Sequence, residues 1–321
     1  MSISQRRMRV LQISSTVAVV ACAVLGAVKS SAGIQGSGLR MFAAVGPITA
    51  MASGSVTVGG VQYSTSGAQV EIDGNAGSAS QLHPGDVVSI DGLGSPGRGR
   101  FARASSMSFS ANIRGAVSGV DPSSGAIFVL GQTVHVSSST RFDAATQAGG
   151  LEALQNGTVI EVSGFADAAG NVLATRVGTP GNSAAERVVG TVRNLNPRQR
   201  TFDINALVVS YAGAEVDGTL AEGTSVAVQG SHPSTAGTLV ASRVDVEIPL
   251  QASPGTEGRI EGLITNLASA DYFEVGGQPV SLGAHTQLNL HVPLGLDVEV
   301  KVTGVFDGNR TLVASKVQTR H

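Results

Sequence analysis

The sequence predicts an all-β chain: four tandem small five-stranded OB-like barrel modules after an N-terminal export signal. Three observations predict it. Composition favours strands and turns, one set of markers recurs in fixed order along the chain, and the first 32 residues read basic and then apolar. Of 321 residues 14 % are charged and 4 % aromatic, Trp is absent and Gly numbers 42, a mixture that suits short strands joined by tight turns. A hydrophobic content of 42 % with so little charge is the opposite of the disorder signature.

Residues 1–32 carry no acid, and Arg6, Arg7 and Arg9 precede a run without charge from Val10 to Val28. This is the layout of a basic n-region and an apolar h-region. Three readings stand. The small residues "SSAG" at 30–33 offer cleavage between Ala32 and Gly33; "VVAC" at 19–22 fits a bacterial lipobox in which Cys22 is lipidated; and the run of 19 residues is nearly long enough to stay as an anchor. All three place the chain outside the cytoplasm, periplasmic or outer-membrane-associated in a bacterium. Loss of residues 1–32 leaves 17 basic against 23 acidic residues, a net charge of −6 and a poor match to nucleic-acid phosphates. Cys22 is the single cysteine, so no disulfide framework exists and the chain must hold by packing.

The repeat rests on three markers. The closing text "LVASRV" at 239–244 and "LVASKV" at 312–317 has relatives at "VLATRV" (172–177) and "ARASSM" (102–107), which align on Ala104, Ala174, Ala241 and Ala314. Upstream, "LHPGDVVSIDG" (82–92), "LQNGTVIEVSG" (154–164) and "LAEGTSVAVQG" (220–230) share a frame of Leu, Gly three later, and Gly seven after that. In "PLGLDVEVKVTG" the gap from Gly295 to Gly304 is nine, which predicts a strand two residues longer. Gly46, Gly115, Gly190 and Gly262 open the units at separations of 69, 75 and 72. Three markers in one order define a tandem repeat.

The units are read as 46–110, 114–178, 187–248 and 258–321, after a Gly-rich lead-in at 33–45. Alternating runs such as "TFDIN" and "SVAVQG" predict five strands each, with a bulge in the last, where Val240, Arg243 and Val244 break alternation. Ala241 is expected inward, Arg243 and Lys316 toward solvent. Between the third and fourth strands lies a variable insert, and "DAATQAGGLEALQNG" predicts a short helix ended by Gly157. A helical insert at that point is the order of an OB-like barrel, with a two-sheet sandwich as the alternative. The Pro/Gly/Ser-rich stretches 178–186 and 249–258 read as linkers between separate modules.

"GIQGSGLRMFAAVGPITAMASGSVTVGGVQYSTSGAQVEIDG" (33–74), with the later "G..VEV.G" and "L.ATRV" frames, resembles bacterial exported repeat proteins of domain-of-unknown-function family 5666, over about 46–321. Gly59-Gly60 stands where the relatives carry Asn-Gly, and Cys22 is followed by "AVLGAV" where many relatives place Gly runs. The resemblance implies no assigned activity and no catalytic residues.

"GLGSPG" at 92–97 satisfies G-x-G-x-x-G, yet the repeat frame places a strand after it where a dinucleotide site needs a helix. His83, His135, His232, His285, His291 and His321 form no metal-spaced pair, and the "DGN" segments at 73–75 and 307–309 lack a full calcium ligand set. Tyr63, Tyr211 and Tyr272 fall in strand patterns, as packing residues. The sequence therefore predicts a non-enzymatic envelope protein acting in binding, adhesion or structural spacing. It predicts no catalytic, metal or cofactor residues and no nucleic-acid partner. The expected partner is an envelope component or glycan, with membrane contact only through the N-terminal signal or lipid anchor. The alternative is a periplasmic or surface module binding a glycan or metal ion, and a third reading is a surface hydrolase.

Overall fold

The computed structural model describes residues 40–94, 101–143, 150–181, 185–232 and 237–320, and these form two mixed sheets that close into five-stranded barrels. In the first sheet, Arg40–Ala52 pairs with Ser55–Val58 and that strand with Val61–Ser64, all antiparallel. Val61–Ser64 then runs parallel to Phe101–Phe109, whose antiparallel neighbour Val87–Gly94 returns to Arg40–Ala52. The circuit is first-second-third-fifth-fourth-first. Strands Glu257–Ser269, Tyr272–Val275, Gln278–Asn289, Glu299–Phe306 and Leu312–Thr319 close the same way in that sheet.

The second sheet repeats the circuit over 113–178 and over 186–246. Ile113–Asp121, Ala126–Val129, Gln132–His135, Val159–Ala166 and Val172–Gly178 make one barrel. The other uses Thr201–Ile204, Leu207–Ser210, Ser225–Ser231 and Thr238–Val246, with its first strand split into Glu186–Thr191 and Arg193–Asn196. A closed circuit leaves no free edge within a barrel, which excludes the two-sheet sandwich.

Two local devices make the closure possible. The opening strand is clasped by the turn before the fourth strand: Gly85, Gly157 and Gly223 donate their amides to Ile48, Val117 and Val192 carbonyls at 2.8–2.9 Å, and Asp297 does the same to Ile264 at 2.9 Å. Those turn residues all have positive φ, including Asp297 at 63°. Asp297 therefore stands in the glycine's place, seven residues before Gly304. Glu299–Phe306 has 8 residues, as do Val87–Gly94 and Val159–Ala166, so the expected longer strand is corrected. Asp is one of the few side chains that tolerates this backbone region.

The second device is the bulge in the closing strand. Register slips by one residue opposite Gly92, Gly164, Gly230 and Gly304, so that Ser105, Thr175, Ser242 and Ser315 are the extra residues. A Cβ on Gly164 would lie 2.2 Å from the Leu173 carbonyl oxygen, so the close approach needs glycine. The extra hydroxyls of Thr175, Ser242 and Ser315 donate to the Ser163, Gln229 and Thr303 carbonyls at 3.0–3.2 Å. The preceding alanines, Ala104, Ala174, Ala241 and Ala314, are buried as expected.

The insert differs from expectation. Among the described residues it holds single 3-10 turns, Ala79–Gln81 and Gly150–Ala153, and no α-helix. One turn is too short to sustain an α-helical ladder, and Gly157 serves the clasp.

The barrels are joined more tightly than linkers would imply. Arg40–Ala52 runs parallel to Glu257–Ser269, with Phe42 opposite Glu257 and Val45 opposite Ile260. Ile113–Asp121 pairs with Glu186–Thr191 through Arg114–Arg187 and Ile113–Val188. One buried cluster from Ile113 to Val244 spans 113–178 and 186–246 without a break, and Ala43 of the first strand belongs to the core of 257–319. The stretch 249–258 also docks: Leu250 and Ala252 pack on that core, and the Leu250 amide donates to Gln278 Oε1 at 2.9 Å.

Candidate functional site

The first and fourth strands of a barrel place one cross-strand pair side by side at the residue before the opening glycine. In 113–178 that pair is Arg114 opposite Glu161; in 257–319 it is Glu261 opposite Lys301, with the charges exchanged. The corresponding pairs in 40–109 and 186–246 are Val45–Ser89 and Val189–Ala227, which carry no charge. Both charged pairs contact the barrel of 40–109.

Arg114 donates Nε and Nη2 to Glu161 Oε2 at 3.1 and 2.7 Å, and Nη2 also meets Asp73 Oδ2. Arg176 reaches three carboxylates. It forms a two-pronged bond to Asp143 at 2.9 and 2.6 Å, and its Nη1 lies 3.1 Å from Asp86 and 3.2 Å from Glu161. Arg187 adds a bond from Nε to the Ala111 carbonyl at 2.9 Å and lies 3.6 Å from Asp73 Oδ1. Asp86 and Arg176 are 0 % and 1 % exposed, so the centre of this seam is shielded from bulk solvent. Burial by itself would depress the Arg176 guanidinium; the Asp143 bond and the charges of Asp86, Asp143 and Glu161 outweigh it and hold Arg176 above the ordinary arginine range. Arg114 is likewise opposed by burial and raised by Asp73 and Glu161.

On the other side, Lys301 Nζ and Arg259 Nη1 both donate to the Gly59 carbonyl, the latter at 3.0 Å. Gly59 and Gly60, at φ 57° and 80°, form the two-residue turn between Val58 and Val61, where paired positive φ requires Gly or Asn. Burial pulls Lys301 down, against the charge of Glu261. Glu261 is 2 % exposed, and Arg320 Nη1 lies 2.7 Å from its Oε1.

These seams fix barrels against one another. The charged groups of the first seam are engaged mutually through partners from three stretches of chain. Such a cluster was missed in the sequence because Arg176 occupies the same repeat position as Arg243 and Lys316. Arg243 reaches solvent with 42 % of its side chain accessible, whereas Arg176 is buried because the barrel of 40–109 covers it. The legible signal was Asp86, placed directly after the turn glycine where other units have Thr158, Thr224 or Val298.

Two clefts open along the seams. One, of about 260 Å³, lies where three barrels meet and is lined by Thr49, Arg141, Phe165, Leu173, Glu299 and Arg320. The other, of about 230 Å³, lies between Arg40–Ala52 and the last barrel.

Cys22, Ala32 and Gly33 lie outside the described residues, as do Gly97 of the G-x-G-x-x-G match and His321. Gly92 and Gly94 lie at the end of the strand Val87–Gly94, and the next element among the described residues is the strand Phe101–Phe109. The His83 ring lies 3.7 Å from Asp86, whose hydrogen bond is the main cause of its raised pKa. His232 meets Glu186 at 2.7 Å. Among the described residues, no three His, Cys, Asp or Glu side chains converge as a metal-holding group. Asp307 and Asp167 spend their carboxylates on the amides of their own turns. Tyr63 is in the core against Phe42, Tyr211 packs on Phe202, and Tyr272 is half-exposed.

Fold and seams together define a class: tandem closed five-stranded β-barrels fused through shared sheets. The chain belongs to the family described as Domain of unknown function (DUF5666), whose model matches residues 45–103, 114–178 and 261–318. No curated protein matches the chain.

Proposed function

We propose that the protein is an exported bacterial envelope protein whose four barrel modules, 46–110, 114–178, 187–248 and 258–321, act without catalysis as one rigid binding block. The observation that carries this is the fusion of barrels by sheet pairing and buried ion pairs. Such fusion presents several barrel surfaces and the clefts between them in fixed relation, as binding sites require. The count of four rests on the clasp and the bulge, which recur in 186–246 although that stretch lies outside the family matches. Parallel pairing of 42–45 with 257–260 supports a block over an extended spacer. Export is supported by the basic and apolar text of 1–32.

The partner class favoured is an envelope glycan, since both clefts lie between barrels and are lined by polar and apolar groups together. Thermal-shift measurements with a glycan panel and a metal panel test this. Reproducible stabilisation by a glycan is expected; stabilisation by metals alone would favour the metal-binding alternative, and hydrolysis of a panel member would favour the hydrolase. Mass spectrometry of the mature N-terminus tests export: a start at Gly33 eliminates the lipoprotein, and a lipid-modified start at Cys22 establishes it.

A further inference from the structure

The cleft of about 230 Å³ between Arg40–Ala52 and the last barrel contains two polar groups that the fold leaves unmatched. Tyr63 lines it beside Phe42 and is 0 % exposed, and its hydroxyl has no hydrogen-bond partner. Arg259 lines the same cleft, and its Nε is buried and equally unpartnered. The guanidinium is held in place through its other arm, by the Nη1 bond to Gly59 at 3.0 Å. Buried polar groups are normally satisfied, and leaving a donor unmatched is costly, so two such groups in one cleft need an account.

Their chemistry is specific. Arginine Nε is a donor only and carries fixed positive charge, and a tyrosine hydroxyl donates one hydrogen. Burial pushes the Tyr63 phenol up to about 12, against the opposing charge of Arg259, so it keeps its proton at neutral pH. Glu257, also on the wall, is engaged within the protein, and the Ser315 hydroxyl is taken by the Thr303 carbonyl. The unmet demand is for an acceptor with negative charge. Phe42, Ala43 and Val305 supply apolar walls. At roughly 30 Å³ per water the space of about 230 Å³ holds about eight waters, enough for one small acid or one sugar residue.

We propose that this cleft is a carboxylate-binding site, in which Arg259 Nε and the Tyr63 hydroxyl donate to the carboxylate of a small organic acid or of an acidic sugar residue. This rests on the reading of the protein as a binding block and names what one of its clefts takes.

Titration calorimetry of the full chain with propionate, D-glucuronate and D-glucose tests it. The charged probes are expected to bind in the millimolar range and glucose is not. Binding of both acids assigns a simple carboxylate, and binding of glucuronate alone assigns the acidic sugar. Tyr63→Phe is expected to weaken binding about tenfold, the loss of one hydrogen bond to a charged group. It should leave the melting temperature of the free protein unchanged or higher, because it removes an unsatisfied hydroxyl. Arg259→Gln should abolish binding; if that variant is poorly folded, Tyr63→Phe carries the test. Failure of both acids to bind, or equal binding by wild type and Tyr63→Phe, would overturn the proposal. If both acids fail while a panel glycan stabilises the protein, the cleft assignment falls and the binding block stands.

Discussion

Gly164 shows what one residue position contributes to this fold. A methyl group there would sit 2.2 Å from a backbone oxygen that has no room to retreat, because Leu173 and Ala174 are paired across the bulge. Gly164→Ala is expected to cost about 3 kcal/mol or more in chemical denaturation of the full chain, whereas Gly181→Ala, with nothing within 4 Å, should stay within about 0.5 kcal/mol. Arg176 gives a second contrast. Arg176→Met leaves the buried Asp86 without its guanidinium partner, while Arg114 still holds Glu161, and should cost about 3–5 kcal/mol; Arg243→Met, at the same repeat position in solvent, should cost less than about 1 kcal/mol. Equal effects at the two positions would contradict the seam. His83 supplies the pH dependence. Its pKa is raised above 6.5 in the folded protein, mainly by the Asp86 hydrogen bond, so its contribution is full below pH 6.5 and fades as pH rises through the raised value. His83→Ala should therefore destabilise below pH 6.5 and become neutral in alkaline buffer, by less than about 1 kcal/mol because half the side chain is exposed.

At the scale of elements, the closing strand with its buried alanine was legible because its text is repeated. So was the bulge, from the broken alternation at Val240, Arg243 and Val244. The hairpin at Gly59-Gly60 was legible through the resemblance, since Gly-Gly stands where the relatives carry Asn-Gly and the same turn accepts both. Two elements were misread for definite reasons. Asp297 hides the turn glycine of the last frame, since spacing counted from Gly295 lands on the wrong residue. The Ala- and Leu-rich insert near 150 has helical composition, but among its described residues it holds one 3-10 turn, Gly150–Ala153, and 144–149 lie outside the described residues. Apart from Asp86 after its turn glycine, the ionic seam was hidden, because a repeat alignment gives Arg176, Arg243 and Lys316 one environment. Only the packing of whole barrels separates them.

For the whole molecule, shared sheets predict shared stability. Each barrel alone is a module of about 60–65 residues, marginal by its burial, and pairing across seams adds backbone bonds, a common core and buried charge. A string of independent barrels would respond to damage one module at a time. The most direct test is native-state hydrogen exchange, read by mass spectrometry, on the full chain carrying Gly304→Ala. That substitution sits in the last barrel, where the new Cβ would lie 2.2 Å from the Val313 carbonyl oxygen. A fused block predicts lower protection in 257–319 and also in Phe42–Val45 and the rest of the 40–109 barrel. Loss confined to 257–319, with protection of 40–109 unchanged, would contradict it.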